Sequence, residues 1–179
     1  LQNLVTSGQT RSEQWRRLQL KRIEEILEDN EEDILKALEA DLGKPPTEGV
    51  IEIIALKQEL KLVKKKLSEW IRAKPIEVPL PLQPGAAKLK LEPLGCVLII
   101  GPWNYPFSLT LQPLISALAA GNTAVLKPSE QAPHTSELIA KVFELKFPQE
   151  VVQVCQGDGE IASALTSYPF DHIFFTGGS

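Results

Sequence analysis

The sequence predicts an α/β protein in which N-terminal helices precede a doubly wound, mostly parallel sheet. Residues 11–70 place apolar side chains at three- and four-residue intervals, which is the spacing of amphipathic helices. Residues 93–179 alternate short apolar runs with longer amphipathic segments, which is the pattern of strands joined by helices. Strands joined in this way are parallel with right-handed crossovers, so the two patterns together predict this fold class.

Two helices are predicted before residue 45. The first spans residues 11–29, and the second follows Asn30, a favourable N-cap, and ends near Gly43. Acidic residues 31–33 lie in the first turn of the second helix, where negative charge complements the helix dipole. The apolar positions that define these helices are Trp15, Leu18, Ile23, Ile26 and Leu27 in the first and Ile34, Leu35 and Leu38 in the second.

A third, longer helix is predicted after Pro45 and Pro46, with Thr47 as its N-cap. Its apolar stripe consists of Ile53, Leu56, Leu60, Val63, Leu67 and Trp70. A coiled coil would also produce this stripe, but the stripe spans few heptads, and packing against the sheet domain is the favoured interpretation. The lysines beside the stripe are interpreted as a solvated helix face rather than an anion-binding patch: Lys57, Lys61, Lys64 and Lys65.

Residues 91–130 are predicted to form one βαβ unit. The apolar run at 97–100 has the composition of a strand buried on both faces, and residues 101–106 contain two prolines and a glycine that prevent a helix. A buried helix is predicted over residues 107–120, and Gly121 ends it. The next strand is predicted at residues 124–126.

Further strands and helices are predicted on both sides of this unit. Residues 75–85 contain four prolines and are predicted to be an extended surface connector, and residues 88–92 alternate like a half-exposed strand. A helix capped by Thr135 or Ser136 is predicted to extend to residue 147, with Leu138, Ile139, Val142, Phe143 and Leu145 on its apolar face. Strands at 151–155 and 172–175 are expected to flank a short helix at 161–165.

Composition excludes several functional classes. The net charge is −4, and no basic cluster alternates with aromatic residues, so a nucleic-acid surface is not expected. No apolar run approaches the ~20 residues that a membrane helix needs, and no signal peptide is visible. The chain has two cysteines, which favours a reducing, cytoplasmic location over a disulfide. It has no methionine and stops directly after a strand, so it is interpreted as a fragment.

Polar residues follow two of the predicted parallel strands. Trp103 and Asn104 lie in the loop after the first strand, and Lys127 and Glu130 follow the second. Ligands of such sheets bind outside the carboxyl ends of the strands. We therefore expect these four side chains to converge on one cleft.

The motifs GPWNYP at 101–106, AAGN at 119–122 and KPSE at 127–130 resemble those of the NAD(P)-dependent aldehyde dehydrogenase superfamily. The class 3 branch, which acts on fatty or aromatic aldehydes, is the most similar. The resemblance covers the whole chain but only the N-terminal part of such an enzyme. It implies a Rossmann-like fold with a helical segment at 1–74, a proline-rich connector and β arm at 75–92, and an incomplete dinucleotide-binding domain at 93–179.

The resemblance also implies an activity. The full enzyme would oxidise an aldehyde to a carboxylic acid: a cysteine adds to the carbonyl, hydride passes to nicotinamide, and water cleaves the thioester. The catalytic cysteine and general-base glutamate would lie beyond residue 179. The implied partners are a small-molecule aldehyde and a second copy of the enzyme in a homodimer, and the implied cofactor is NAD, with NADP possible. An acylating, coenzyme A-dependent relative and a non-catalytic dinucleotide-binding module are the alternatives.

Site residues follow from the resemblance position by position. Asn104 would donate to the oxyanion that forms on the aldehyde, whereas an asparagine that only satisfies a turn is the alternative. Lys127 and Glu130 would bind the adenine ribose hydroxyls, whereas a surface ion pair is the alternative. Trp103 would line the substrate or nicotinamide cleft or, alternatively, be an ordinary core aromatic.

Glycines are expected to approach the phosphates. The sequence Thr-Gly-Gly-Ser at 176–179 follows a strand, so Gly177, Gly178 and Ser179 are predicted to contact the pyrophosphate. Family members have Ser or Asn where this chain has Gly178, and Ser179 would compensate for the lost side chain. Gly157 is expected in the turn on the adenine side of the cofactor.

Other chemistry-bearing residues are interpreted as structural. Cys96 and Cys155 lie in or beside buried strands, where a thiolate is disfavoured, so neither is expected to be the nucleophile. His134 and His172 lack ligand spacing, and no metal site is predicted.

Overall fold

A computed structural model describes residues 1–178. Helices dominate the first part of the chain: α1 (Gln2–Thr6), a 3-10 turn (Gln9–Arg11), α2 (Glu13–Asp29), α3 (Glu31–Leu42) and α4 (Pro46–Trp70). A small arm follows, formed by β1 (Lys74–Ile76), a 3-10 turn (Leu80–Leu82) and β2 (Ala87–Leu89). The rest alternates strands and helices: β3 (Cys96–Ile100), α5 (Ser108–Ala120), β4 (Thr123–Lys127), α6 (Pro133–Lys146), β5 (Val152–Val154), α7 (Gly159–Thr166) and β6 (His172–Phe175).

The main sheet has the strand order β5-β4-β3-β6, and all three pairings are parallel. This arrangement confirms the predicted fold class. In the register, Ile100 of β3 is opposite both Lys127 of β4 and Phe175 of β6. These three strands therefore end at one level, and the loops that follow them share one edge of the sheet.

Both faces of the central strands are covered, as the apolar runs predict. Every residue of β3 and β4 is buried. Val97 and Ile99 face the larger core, which includes α2, α4, α5 and α6, and Leu98 faces a smaller cluster with Leu165 of α7. A strand with two apolar faces is stable only when both are covered, which these two clusters achieve.

The long helix α4 packs against α5, which follows strand β3, and against α2. Its apolar stripe therefore faces other helices of the same chain. Its buried stripe consists of Ile53, Leu56, Leu60, Val63 and Leu67, as predicted. Lys57 and Lys64 form ion pairs with Glu31 and Glu24, so this side of the helix is a solvated, charge-balanced face.

Three residues that the helical spacing assigns to the core are exposed. Leu18 is 47% exposed, Trp70 is 44% exposed and Leu145 is 75% exposed. The apolar stripe predicts which side of a helix faces the core. It does not predict how far along the helix the neighbouring elements extend, so some residues of the stripe remain uncovered. Leu20 of α2, which lies outside the predicted stripe, is fully buried.

Helix starts differ from the predictions. Helix α2 begins at Glu13, two residues after the predicted start at residue 11, and Ser12 caps it by accepting from the Trp15 N–H. Helix α4 begins at Pro46 without a side-chain cap from Thr47. Helix α6 begins at Pro133, so Thr135 and Ser136 lie inside it rather than at its cap. The short helix α1 was not predicted.

The proline-rich connector is also more ordered than predicted. Lys74–Ile76 pairs antiparallel with Ala87–Leu89, so the predicted connector begins within a strand and forms the link between the two strands of the arm. The second strand is three residues long and exposed on both faces, in contrast to the predicted half-buried strand at 88–92. Within residues 1–178, no helix has both the length and the apolar character required to cross a membrane.

Candidate active site

A cleft of about 720 Å³ lies at the carboxyl edge of β3, β4 and β6. Its lining includes the side chains that the sequence places after these strands: Trp103, Asn104, Lys127, Glu130, Gly177 and Gly178. The expected convergence of four polar or aromatic side chains on one cleft is therefore observed. Ser129, Gln131, Gly159, Ala162 and Thr176 also line the cleft and were not singled out from the sequence.

Backbone hydrogen bonds join the three loops at this edge. The Gly101 N–H donates to the Lys127 carbonyl at 3.0 Å, and the Thr176 N–H donates to the Ile100 carbonyl at 3.1 Å. These bonds continue the hydrogen-bond ladder of the sheet one residue past each strand, so the position at which each loop leaves the sheet is fixed. The first residues of the β3–α5 loop, defined as residues 101–107, are thereby held beside the β4–α6 loop.

Asn104 is exposed in the β3–α5 loop and bonded to its own neighbour. Its Oδ1 accepts from the Tyr105 backbone N–H at 3.0 Å. An amide has one acceptor and one donor end, so the engaged oxygen leaves Nδ2 as the hydrogen-bonding end for a ligand. Trp103 is 51% exposed, so it is not a core aromatic residue.

Lys127 and Glu130 form the charged part of the cleft. The Lys127 Nζ donates to Glu130 Oε2 at 2.6 Å and to the Pro128 carbonyl at 3.1 Å. The Lys127 side chain is 2% exposed, whereas that of Glu130 is 43% exposed. The hydrogen bond from Lys127 lowers the pKa of the Glu130 carboxyl, so it is a carboxylate at neutral pH. A largely buried lysine does not fit the alternative of a surface ion pair.

The glycine predictions divide. Gly177 and Gly178 line the cleft, whereas Ser179 lies outside the described residues. Gly157 does not line the cleft; it has a φ of 145° in the turn before α7, and a Cβ there would be 2.6 Å from Ile161 Cγ1. Gly159, two residues later, lines the cleft instead. A glycine can be required because the backbone has a positive φ or because a ligand approaches closely, and the sequence alone does not distinguish these two reasons.

Neither cysteine lines this cleft. Cys96 is buried at the first position of β3, at the opposite end of the strand from the cleft, and burial raises the pKa of its thiol. Burial also raises the pKa of Cys155, and both thiols border a separate cavity beside Leu165. A thiol with a raised pKa is a poor nucleophile, so both cysteines fit the structural role expected from the sequence.

The histidines have different surroundings. The His134 ring contacts Asp41 at 2.8 Å at the start of α6, whereas His172 lies on β6. In residues 1–178, no group of three or more His, Cys, Asp or Glu side chains could hold a metal ion.

Two charged residues that no sequence motif indicates lie beneath the β3–α5 loop. Lys44 and Glu52 form an ion pair at 2.8 Å, and Lys44 also contacts the backbone of Asn104. The local sequence around this pair shows only a glutamate beside an apolar helical stripe. Lys44 and Glu52 are far from the loop in sequence, so local patterns do not predict the contact.

The chain matches the model of the aldehyde dehydrogenase family over residues 7–179. It is 42% identical to aldehyde dehydrogenase family 3 member H1 of Arabidopsis thaliana over 185 residues, which is 99% of this chain and 38% of that protein. It is 41% identical to the 4,4'-diaponeurosporen-aldehyde dehydrogenase of Staphylococcus aureus over 170 residues, which is 94% of this chain and 37% of that protein.

A solved structure has the same fold. The substrate-bound state of Staphylococcus aureus AldH superposes with a TM-score of 0.94 at 40% identity, covering 99% of this chain and 39% of that one. The chain therefore spans less than two fifths of the relatives that it matches. These relatives include a family 3 member, in agreement with the class 3 resemblance of the motifs.

Proposed function

Because the chain belongs to the aldehyde dehydrogenase family, we propose that it forms the N-terminal part of an enzyme that oxidises an aldehyde to a carboxylic acid with NAD or NADP. The observation that supports this proposal is the cleft at the carboxyl edge of the sheet. There the amide of Asn104 lies in the same lining as the Lys127–Glu130 pair and the glycines after β6.

The residues of the cleft are chemically suited to a dinucleotide. A carboxylate such as that of Glu130 is suited to accept hydrogen bonds from ribose hydroxyls. The Lys127 ammonium, which donates to Glu130 and to the Pro128 carbonyl, has a third N–H that is suited to donate to one of these hydroxyls. The backbone N–H groups of Gly177 and Gly178 are suited to approach the pyrophosphate, because glycine has no side chain of its own to stand in the way. When bound, the dinucleotide supplies the hydride acceptor.

Asn104 is proposed to stabilise negative charge on the substrate. When a nucleophile adds to an aldehyde, the carbonyl oxygen becomes an oxyanion. A side-chain amide donates to this oxygen without titrating, and Asn104 has its Nδ2 end available because Oδ1 is bonded to Tyr105. The nucleophile and the general base are proposed to lie in the part of the enzyme that the chain does not span.

NAD is the cofactor that we propose in preference to NADP. A 2′-phosphate in place of the ribose 2′-hydroxyl would meet the Glu130 carboxylate, and the two negative charges would repel each other. The substrate is proposed to be a fatty or aromatic aldehyde, in line with the class 3 resemblance. Two free cysteines fit a reducing compartment such as the cytoplasm.

The arm formed by β1 and β2 is proposed to take part in a homodimer contact. It exposes apolar side chains, including Leu80, which is 87% exposed, and Leu82, which is 65% exposed. Exposed apolar residues on a short two-stranded arm are suited to be covered by a partner. This proposal treats residues 75–92 as a unit distinct from the helices at 1–74 and the nucleotide-binding residues at 93–179.

The test is Asn104→Ala in the full-length enzyme, measured by single-turnover formation of NADH. Loss of one oxyanion donor should lower the rate by about 10²–10³-fold and leave the cofactor dissociation constant nearly unchanged. Loss of NAD binding with an unchanged chemical rate would instead assign Asn104 to structure. Acyl-coenzyme A as the product would favour the acylating alternative, and NAD binding without any turnover would favour a binding module.

A further inference from the structure

A buried ion pair supports the β3–α5 loop from below. Lys44 lies in the turn between α3 and α4, and Glu52 lies in the second turn of α4. Their side chains are 10% and 1% exposed, and Lys44 Nζ is 2.8 Å from Glu52 Oε1. Burying two charges is costly unless their remaining hydrogen-bonding capacity is used. Lys44 uses that capacity on the loop that contains Asn104, and Glu52 uses it on Ser108, the first residue of α5 after that loop.

Lys44 contacts the two residues at the tip of the loop. Its Nζ donates to the Asn104 carbonyl oxygen at 2.7 Å. It also lies 4.0 Å from the centroid of the Tyr105 ring, a cation–π contact. The ammonium is thus held between Glu52 on one side and residues 104–105 on the other.

Glu52 anchors the end of the loop. Its second oxygen, Oε2, accepts from the Ser108 N–H at 2.8 Å, in the first turn of α5. No side chain at the α5 N-cap position, Phe107, supplies this acceptor. A carboxylate beside the first turn of a helix also complements the helix dipole. Glu52 therefore fixes both the start of α5 and the ammonium of Lys44.

The peptide group between Asn104 and Tyr105 links Lys44 to the Asn104 side chain. Its C=O accepts from Lys44, and its N–H donates to Asn104 Oδ1. A peptide group is planar, so fixing the direction of the C=O fixes the direction of the N–H. The N–H in turn holds Oδ1, and this leaves the Nδ2 donor in one orientation.

We infer that Lys44, held by Glu52, is a positioning residue that orients the Asn104 amide through the 104–105 peptide group. The inference rests on the proposed role of Asn104 as the oxyanion donor. Misplacing a group by about 1 Å can cost roughly 10²-fold in rate without any direct contact with the substrate. Lys44 should therefore affect the chemical step and not the binding of the cofactor.

The first experiment compares Lys44→Met with a matched control in the full-length enzyme. Lys44→Met should slow single-turnover NADH formation by about 10- to 100-fold and change the NAD dissociation constant by less than about twofold. Lys44→Arg, which retains charge and donors, should recover part of the rate. Lys57→Met removes a lysine of α4 from an ion pair with Glu31, away from the loop, and should leave the rate unchanged.

The second experiment is a double-mutant cycle with Asn104→Ala. If Lys44 acts through Asn104, adding Lys44→Met to Asn104→Ala should slow the reaction by less than about threefold. Additive losses, or an unchanged rate in Lys44→Met alone, would overturn the inference and leave the role of Asn104 intact. An unchanged rate in Asn104→Ala alone would overturn the proposed function, and the positioning role with it.

A folding defect can be separated from a positioning defect. Lys44→Met leaves the Glu52 carboxylate buried without its cation, which can unfold the protein. The double variant Lys44→Met/Glu52→Gln removes both charges and keeps an acceptor for the Ser108 N–H. It should bind NAD normally and still react slowly, whereas a wild-type rate in this folded variant would overturn the inference.

Discussion

Asp41, near the end of α3, accepts a hydrogen bond from the backbone N–H of Thr135, in the first turn of α6, at 2.7 Å. Its other oxygen accepts from the His134 N–H at 2.9 Å. The side chain of Asp41 is fully buried. Burial alone would raise its pKa, but the hydrogen bonds from Thr135 and His134 outweigh burial and lower the pKa below 3.8. A residue 94 positions away thus provides the N-terminal cap of α6.

Asp41→Asn should destabilise the enzyme in a pH-dependent way. At neutral pH we expect a loss of about 1–2 kcal/mol, because a charged cap becomes a neutral one that cannot accept with both ends. The depressed pKa means that the ionised Asp41 stabilises the fold above pH 3.8, and that this contribution is lost as the pH falls through the folded-state pKa. Urea unfolding between about pH 3 and pH 7 measures the difference.

The matched control for this prediction is Asp33→Asn, an exposed aspartate in the first turn of the same α3 helix. It should change stability by less than about 0.5 kcal/mol. A stability difference between wild type and Asp41→Asn that stays constant as the pH falls below 3.8 would contradict the capping role of the charge.

Glu130→Gln should change cofactor preference. If Glu130 binds the ribose as proposed, removing its negative charge should raise the ratio of kcat/KM for NADP to that for NAD by at least about tenfold, equivalent to ~1.4 kcal/mol. Steady-state kinetics with both cofactors measure this ratio. Glu137→Gln removes an exposed charge on α6 and should not change it. An unchanged ratio in Glu130→Gln would show that Glu130 does not select the cofactor.

Gly101→Ala should destabilise the loop at the cleft. A Cβ at Gly101 would overlap the Thr110 hydroxyl and lie 3.1 Å from Thr110 Cβ. That hydroxyl donates to the Pro106 carbonyl at 2.7 Å, so it cannot move without losing its bond. We expect a loss of about 1–3 kcal/mol in the free energy of unfolding.

A second substitution tests the cause of this loss. Thr110→Ala removes the clashing hydroxyl, so the double variant should be more stable than the sum of the two single variants allows. Gly159→Ala introduces a methyl group where no atom lies within 4 Å and should be nearly neutral in stability. Strictly additive losses at 101 and 110 would show that the clash is not the cause.

The 179-residue chain, expressed alone, should aggregate and lack dehydrogenase activity. Its edge strand β6 exposes Ile173, Phe174 and Phe175 by 40%, 42% and 58%, and such an edge favours association. Light scattering and NADH absorbance, measured together with a medium-chain aldehyde, test both expectations. Steady NADH formation by monodisperse protein, abolished by Cys96→Ala or Cys155→Ala, would contradict the assignment of these cysteines as structural.

Surface variants locate the source of aggregation. Phe174→Thr should reduce light scattering, because a polar β-branched residue keeps strand propensity without the apolar surface. Leu80→Thr changes a more exposed leucine in the connector and should reduce scattering less. Equal effects of both variants would point to general apolar exposure rather than to the strand edge.

The sequence by itself determined the order of helices and strands, the parallel sheet and the edge at which the cleft forms. Strands β3 and β4 could be predicted because continuous apolar runs between turn residues have few other solutions. The cleft followed from topology, since the loops after parallel strands meet at one edge. The positions of Asn104 and Glu130 at this edge could be predicted from the sequence alone.

Only the tertiary structure decided how that cleft is supported. Asp41 reaches α6 across 94 positions of sequence, Lys44 reaches the β3–α5 loop across 60, and Glu52 reaches the start of α5 across 56. Local sequence patterns predict the periodicity of each helix or strand. They do not predict which distant side chain accepts from the free backbone N–H groups at its start. The same limit explains why α6 begins before Thr135, because its cap comes from another helix. A buried polar group needs a partner, and which partner is available depends on how the helices pack.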